Sequence, residues 1–454
     1  MQSRRDILKL SAVSAFTAAA MGKTPSWEVV QPEAPKTGES PKPLPRVARF
    51  ERMAFGMFVH WGLYSQLGKG EWAKKQYSIG YEEYSKLLPT FTASEFSGRE
   101  LAKVAKSAGM KYVTLTSRHH DGFSLYDTRG LSTYDVTHTP AGRDLILDFV
   151  TGCREEGVVP MLYCTTLDWT DKRFTEDWDG YLKYLRDSIE ILCTHYGEIG
   201  GFWFDGNWSK PNADWKEGEL YSVIRRLQPE AMIINNTGID AHGVRGNPEI
   251  DSTTFERGRP QPVDRRGWPK HVAGEMCHTL NFHWGIGNKD FNYLSPAHVI
   301  EEFCRCRRAG ANLLLNVGPM ASGRVPDYER ALLARVGDWV REVGGPALYE
   351  GRPEIFGAED DFGLVTTRPD GGRDVSLYCF GLTPTADTRV HQSARGFGKR
   401  SFKGVPAELA GATWADNGEA VTLSRDGDTL VIDVPKYREG ANSVVRAAHG
   451  TLKQ

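Results

Sequence analysis

The chain has 454 residues, 40% of them hydrophobic, with 56 Lys and Arg against 58 Asp and Glu for a formal net charge of −2. That balance belongs to a folded globular protein and excludes an extended disordered chain. A charge near zero also removes the electrostatic case for a nucleic-acid or acidic-membrane partner. The length exceeds one small domain and suits two domains, or one large barrel of roughly 250–300 residues plus an appendage.

Residues 1–20 read as an export signal. Arg4-Arg5 precedes a short apolar run, Leu10 to Met21, dense in Ala and Ser. A bilayer span takes about 20 residues, so this run is too short to cross one. Twin-arginine export with cleavage near residue 20 is expected, leaving the protein periplasmic or secreted. No later stretch is long and apolar enough to be a membrane helix. Residues 21–45 are rich in Pro, Lys, Glu, Thr and Ser without an apolar period, and are expected to be a linker. The seven cysteines are odd in number and irregularly spaced, so no disulfide framework is expected. Cys304 and Cys306 fall within a helical pattern and read as buried helix cysteines.

From Phe55 onward, short runs apolar on both faces alternate, mostly, with helical patterns. The runs are 55–60, 112–116, 158–163, 201–205, 231–235, 252–256, 271–275 and 312–316. Strands buried on both faces have this composition. Leu101, Val104, Ala105 and Ala108 mark one helix, closed by Gly109. Tyr181 to Leu192 and Tyr328 to Val343 mark two more. Eight such repeats predict a (β/α)8 barrel over residues 46–348, with its active site at the C-terminal ends of the strands. The connections after the fifth and sixth strands are rich in Gly, Pro and Arg, and predict loops in place of helices. Beyond residue 348 short runs such as Val375–Phe380 and Leu430–Val434 are split by turn signals, among them Pro369-Asp-Gly-Gly372. They predict a C-terminal antiparallel β-sandwich over residues 349–454.

Polar and aromatic residues gather where the predicted barrel strands stop: His60-Trp61, Glu71-Trp72, His119-His120-Asp121, Tyr163, Trp203-Phe204-Asp205, Glu256 and Glu275. In one barrel these ends share one pocket. Two carboxylates beside Trp, Tyr and His suit glycoside hydrolysis, with one carboxylate ionised, one protonated, and aromatic faces against a sugar ring. Asp205 follows three apolar residues at a strand end, where a carboxylate is costly unless it is used. A metal site at His119-His120-Asp121 with His60 is disfavoured, because adjacent histidines on a strand point to opposite faces unless the strand has ended. No Gly-x-Ser-x-Gly elbow or dinucleotide fingerprint is present. No metal or other cofactor is therefore expected.

Phe58-Val59-His60-Trp61-Gly62, Glu71-Trp72, His119-His120-Asp121-Gly122-Phe123, Phe202-Trp203-Phe204-Asp205-Gly206, Glu275-Met276-Cys277 and Trp284-Gly285 stand in order at plausible spacings. Together they closely resemble the family 29 glycoside hydrolases, the α-L-fucosidases, over residues about 45–345. The resemblance implies an exo-acting, retaining hydrolase of terminal α-L-fucose on glycans, working without a metal. It implies that Asp205 is the nucleophile. It also implies that His60, Glu71, Trp72, His119, His120, Tyr163 and Trp203 hold the sugar, with Glu275 and Trp284 in further sugar-contacting motifs. Two departures stand near the pocket. Asn235-Asn236-Thr237-Gly238 replaces an Arg that many members carry after the fifth strand, and Gly274 replaces the Trp before Glu275. They leave an α-L-galactosidase or related exo-glycosidase open, and outside enzymes a carbohydrate-binding protein that kept the pocket. The general acid/base stays open among Glu256, Glu275 and Glu71, with Glu256 favoured.

Overall fold

The computed structural model describes residues 38–236, 242–381, 397–438 and 440–452. The expected export signal, the expected linker up to residue 37, and Thr237-Gly238 lie outside the described residues. Among the described residues, 42–264 and 270–452 form one compact unit, and 38–41 with 265–269 a second. In the second, the Trp268 N–H closes a turn on the Arg265 carbonyl at 3.1 Å.

Eight parallel strands close into a barrel in sequence order. They are β1 (Phe55–Val59), β2 (Tyr112–Arg118), β3 (Val159–Thr165), β4 (Gly201–Asp205), β5 (Met232–Asn235), β6 (Ser252–Glu256), β7 (Ala273–Thr279) and β8 (Asn312–Val317). Their apolar runs are buried because helices cover the outside and side chains fill the inside. Among the described residues no helix stands between β5 and β6 or between β6 and β7, as the Gly/Pro/Arg-rich connections predicted. The helix Pro45–Met53 closes the N-terminal end. Its Val47 and Phe50 share one cluster with Tyr112, Met161 and Leu314 inside the barrel.

Most strands differ from expectation by a few residues at one end or both, and the differences at β2 and β7 matter for the site. β2 runs on to Arg118, so His119 and His120 follow directly after its end. β7 begins at Ala273 rather than His271, and His271 instead reaches Glu51 of the N-terminal helix at 2.7 Å. Glu275 is therefore the third residue of β7, beside Asn312 at the start of β8, and not a strand-end residue.

Eight further strands form one antiparallel sheet in the order β13-β16-β11-β10-β9-β12-β15-β14. They are β9 (Arg352–Gly357), β10 (Phe362–Thr367), β11 (Arg373–Phe380), β12 (Gly398–Lys403), β13 (Thr413–Trp414), β14 (Thr422–Asp426), β15 (Thr429–Val434) and β16 (Val445–Thr451). The sheet curls on itself as a sandwich, so that Ile355, Leu377, Phe402 and Ile432 share one core. The alternate residues Leu364, Tyr378 and Ala447 join the core of the barrel instead. Hydrogen bonds seal that junction: Tyr378 OH donates to the Gly344 carbonyl at 2.7 Å, and Trp339 Nε1 to the Val445 carbonyl at 3.0 Å. All seven cysteines are free and buried. No helix of the described residues is long and apolar enough to cross a membrane.

Candidate active site

A cavity opens at the C-terminal ends of the barrel strands, lined by Phe58, His60, Trp72, His119, His120, Tyr163, Trp203, Asp205, Trp208, Asn236, Glu256 and Trp284. Phe58, Tyr163 and Trp203 come from within β1, β3 and β4, and the others from a strand end or the loop that follows one. Asp205 is the last residue of β4. Gly206 then takes a left-handed φ of 115°, where a Cβ would lie 2.6 Å from the Leu167 nitrogen. That turn leads into a 3-10 segment, Asn207–Ser209, which brings Trp208 back over the carboxylate.

Asp205 is surrounded by donors. Its Oδ2 accepts from Tyr163 OH at 3.0 Å and faces His120 Nε2 at 3.3 Å. Its Oδ1 accepts from Trp208 Nε1 at 2.9 Å and from Asn236 Nδ2 at 3.4 Å. Burial alone would raise its pKa, but the hydrogen bonds and charge of His120, with Trp208 and Tyr163, outweigh it and hold the carboxyl below its usual range. Glu256, the last residue of β6, goes the other way. Burial and the nearby charge of Asp205 push it up to about 7, against the opposing pull of Asn236 and Arg257.

Asn236, the first residue after β5, ties the two together. Its Nδ2 also donates to Glu256 Oε2 at 2.7 Å, while its Oδ1 accepts from Thr254 Oγ1 at 3.0 Å. The two distances laid end to end put the linked carboxylate oxygens no more than about 6 Å apart. That ceiling admits the roughly 5–5.5 Å separation of a retaining pair.

The histidines are held as sugar ligands would be. His60 Nδ1 donates to Asn316 Oδ1 at 2.7 Å, and Asn316 Nδ2 donates to the Trp284 carbonyl at 2.6 Å. This leaves His60 Nε2 as an acceptor. Burial lowers the His60 pKa to about 3 despite the Asn316 bond and the charge of Asp205, so the ring is neutral. Burial likewise drives His119 well below the usual histidine range, and its Nδ1 has no hydrogen-bond partner among the described residues. His120 is fixed by Thr165, whose Oγ1 lies 2.6 Å from Nδ1. His119 and His120 both line the cavity because β2 has already ended, which removes the opposite-face objection that holds within a strand.

The α-L-fucosidase family model matches residues 25–345, the whole of the barrel. The chain belongs to the α-L-fucosidase family. It is 28% identical over 346 residues to the tissue α-L-fucosidase of Rattus norvegicus, covering 69% of this chain and 71% of that one. The Homo sapiens tissue α-L-fucosidase is also 28% identical, with 69% and 70% covered. Among solved structures, α-L-fucosidase isoenzyme 1 from Paenibacillus thiaminolyticus aligns with a TM-score of 0.74 at 30% identity, over 90% of this chain and 99% of that one. The protein is thus a glycoside hydrolase of the α-L-fucosidase family, with the barrel and sandwich read from its sequence.

Against this fucosidase frame, nine of the eleven residues singled out in the sequence line the cavity: Asp205, Glu256, His60, Trp72, His119, His120, Tyr163, Trp203 and Trp284. Glu275 is corrected. It is fully buried beneath the floor, where its Oε2 accepts from Trp203 Nε1 at 2.8 Å and its Oε1 from Tyr112 OH at 2.5 Å. It positions Trp203 from below and does not line the cavity where a sugar would sit. Burial raises its pKa to about 7, against both hydrogen bonds. Glu71 is not among the lining residues either. Its Oε2 accepts from the backbone N–H groups of Trp284 and Gly285 at 3.0 and 2.8 Å, which ties the loop after β1 to the loop after β7. Phe58, Trp208 and Asn236 line the cavity without having been expected as site residues, Asn236 having stood out only as a departure from the family pattern. Phe58 was legible as the residue two before His60, on the same inward face. Asn236 occupies the strand-end position that drew attention to His60 and His119. For Trp208 the only signal is its place just after the Asp-Gly turn.

Proposed function

We propose that this protein hydrolyses terminal α-L-fucosides with retention of configuration, Asp205 being the nucleophile and Glu256 the general acid/base. One observation carries the reading: a single amide, Asn236, reaches both carboxylates, and their environments favour opposite protonation states. Ionised Asp205 attacks the anomeric carbon while protonated Glu256 gives its proton to the departing oxygen. The C1–O bond breaks, and a glycosyl ester forms on Asp205. Glu256, now ionised, then takes a proton from water, which attacks the same carbon and releases fucose and free Asp205. Neutral His60 and His119 each offer the sugar hydroxyls a ring nitrogen, and Trp203 and Trp284 offer flat apolar surface.

The opposed carboxyls set the pH dependence. Activity requires Asp205 ionised and Glu256 protonated. With a poor leaving group such as phenol, kcat/KM should hold across mildly acidic pH and fall roughly tenfold per unit above the Glu256 pKa of about 7. Glu256→Gln should abolish that alkaline limb. A profile flat through pH 9 in the unaltered enzyme, or no hydrolysis of aryl α-L-fucosides at all, would reject the reading.

We further infer export by the twin-arginine route, on the strength of Arg4-Arg5 and the short apolar run after it. Replacing both arginines by lysine should leave the protein in the cytoplasm. Fractionation that finds it exported regardless would refute the inference.

A further inference from the structure

A second, broader cavity of about 560 Å³ lies beside the candidate active site, lined among others by Lys69, Tyr77, Phe282, His283 and Asn288. One partition separates the two. Residues 68–72 and 284–288 run antiparallel: Lys69 bridges Gly287, Gly70 N–H donates to the Ile286 carbonyl at 2.9 Å, and Asn288 N–H to the Gly68 carbonyl at 2.9 Å. At one end of this ladder Trp72 and Trp284 line the active cavity. At the other, Lys69 and Asn288 line the second.

Arg257 links the strand that carries Glu256 to the rim of the second cavity. Arg257 follows Glu256 directly, with a left-handed φ of 50° that few non-glycine residues adopt. Its guanidinium lies over two rings at once, 5.2 Å from the centroid of Trp284 and 5.9 Å from that of Phe282. It also donates to the Phe282 carbonyl at 2.9 Å. A general acid stands next to the departing oxygen, so groups attached to that oxygen begin on the Glu256 side, where Arg257 and Phe282 stand.

The second cavity is furnished for sugar rings. Large aromatic side chains are normally covered, yet Tyr77 is 58% exposed, Phe282 53% and Phe291, on the same loop, 89%. Polar groups stand among these rings. Lys69 Nζ sits over the Tyr77 ring at 4.4 Å, His283 is fixed by Asp290 at 2.9 Å, and the Asn288 side chain can meet hydroxyls. Exposed flat rings interleaved with amides and fixed polar groups match the C–H faces and hydroxyls of pyranose units.

We propose that this cavity is a binding site for the sugar units of the oligosaccharide to which the terminal fucose is attached, with Tyr77 and Phe282 as its stacking platforms. The proposal rests on the fucosidase reading above. It makes the enzyme a selector of extended glycans over simple fucosides.

The test compares Phe282→Ala, Tyr77→Ala and the double variant with the unaltered protein. The substrates are 4-nitrophenyl α-L-fucoside and a panel of α1,2-, α1,3- and α1,4-fucosylated oligosaccharides of three to five sugars. On the aryl fucoside, kcat/KM should stay within about twofold. On the best-cleaved oligosaccharide it should fall roughly tenfold per ring removed, mainly through KM, the scale of a well-packed interface residue. Equal losses on both substrate classes would overturn the proposal, as would undiminished oligosaccharide hydrolysis in the double variant. Unaltered protein that cleaves the aryl fucoside but no oligosaccharide would also overturn it while leaving the fucosidase reading intact. Failure to cleave the aryl fucoside would instead strike that reading.

Discussion

Asp205→Gly should lose activity on aryl α-L-fucosides by on the order of 10⁵–10⁶-fold, the scale seen when the nucleophile of a concerted site is removed. The fold should survive, because Asp205 ends its strand and its side-chain partners, Tyr163, His120, Trp208 and Asn236, all line the cavity. Removing the carboxylate leaves space on the face from which it attacked. Azide entering there should restore part of the rate and give a fucosyl azide of inverted configuration, since only one displacement then occurs. Circular dichroism should match the unaltered protein. Asp205→Asn with near-normal turnover would exclude Asp205 as the nucleophile.

Glu256→Ala should split substrates by leaving group. Loss of a general acid costs about 10²–10⁴-fold where the leaving oxygen needs a proton. For a fucosylated sugar or phenyl fucoside the loss should sit at the upper end of that range. For dinitrophenyl fucoside, whose leaving group departs without a proton, formation of the glycosyl-enzyme should change little. Its breakdown then lacks a base, so the intermediate should accumulate and show as a burst. Azide should speed breakdown and yield a product of retained configuration. Glu275→Ala should behave otherwise. It strips Trp203 and Tyr112 of their buried partner and should weaken all substrates alike through a disturbed floor. Leaving-group dependence in Glu275→Ala and none in Glu256→Ala would exchange the two roles.

The sequence carried the barrel because its strands are buried on both faces and stand between recognisable helices. It carried most of the site because a parallel barrel directs every strand end to one mouth, so that His60, His119, Asp205 and Glu256 converge whatever the details of packing. What it could not carry depends on register between neighbours. The depth of Glu275 turns on where β7 starts. A shift of two residues moves a side chain by about 6.6 Å along the strand, which separates a sugar ligand from a support beneath the floor. Asn236 drew notice as a departure from the family pattern. Its position between Asp205 and Glu256 follows from the pairing of β4, β5 and β6, which no local stretch encodes. Trp208 depends on the left-handed turn at Gly206, and the second cavity on a ladder between segments more than two hundred residues apart in sequence.

Covalent trapping tests the central claim most directly. A 2-deoxy-2-fluoro-α-L-fucosyl fluoride should form the glycosyl-enzyme quickly, because fluoride leaves without a proton, and release it slowly, because fluorine at C2 destabilises the oxocarbenium-like transition state. Intact-mass analysis should show one added fluorofucosyl unit per chain, and peptide mapping should place it on Asp205. Label on another carboxylate, or β-L-fucose as the first product of an aryl α-L-fucoside in proton NMR, would contradict the account.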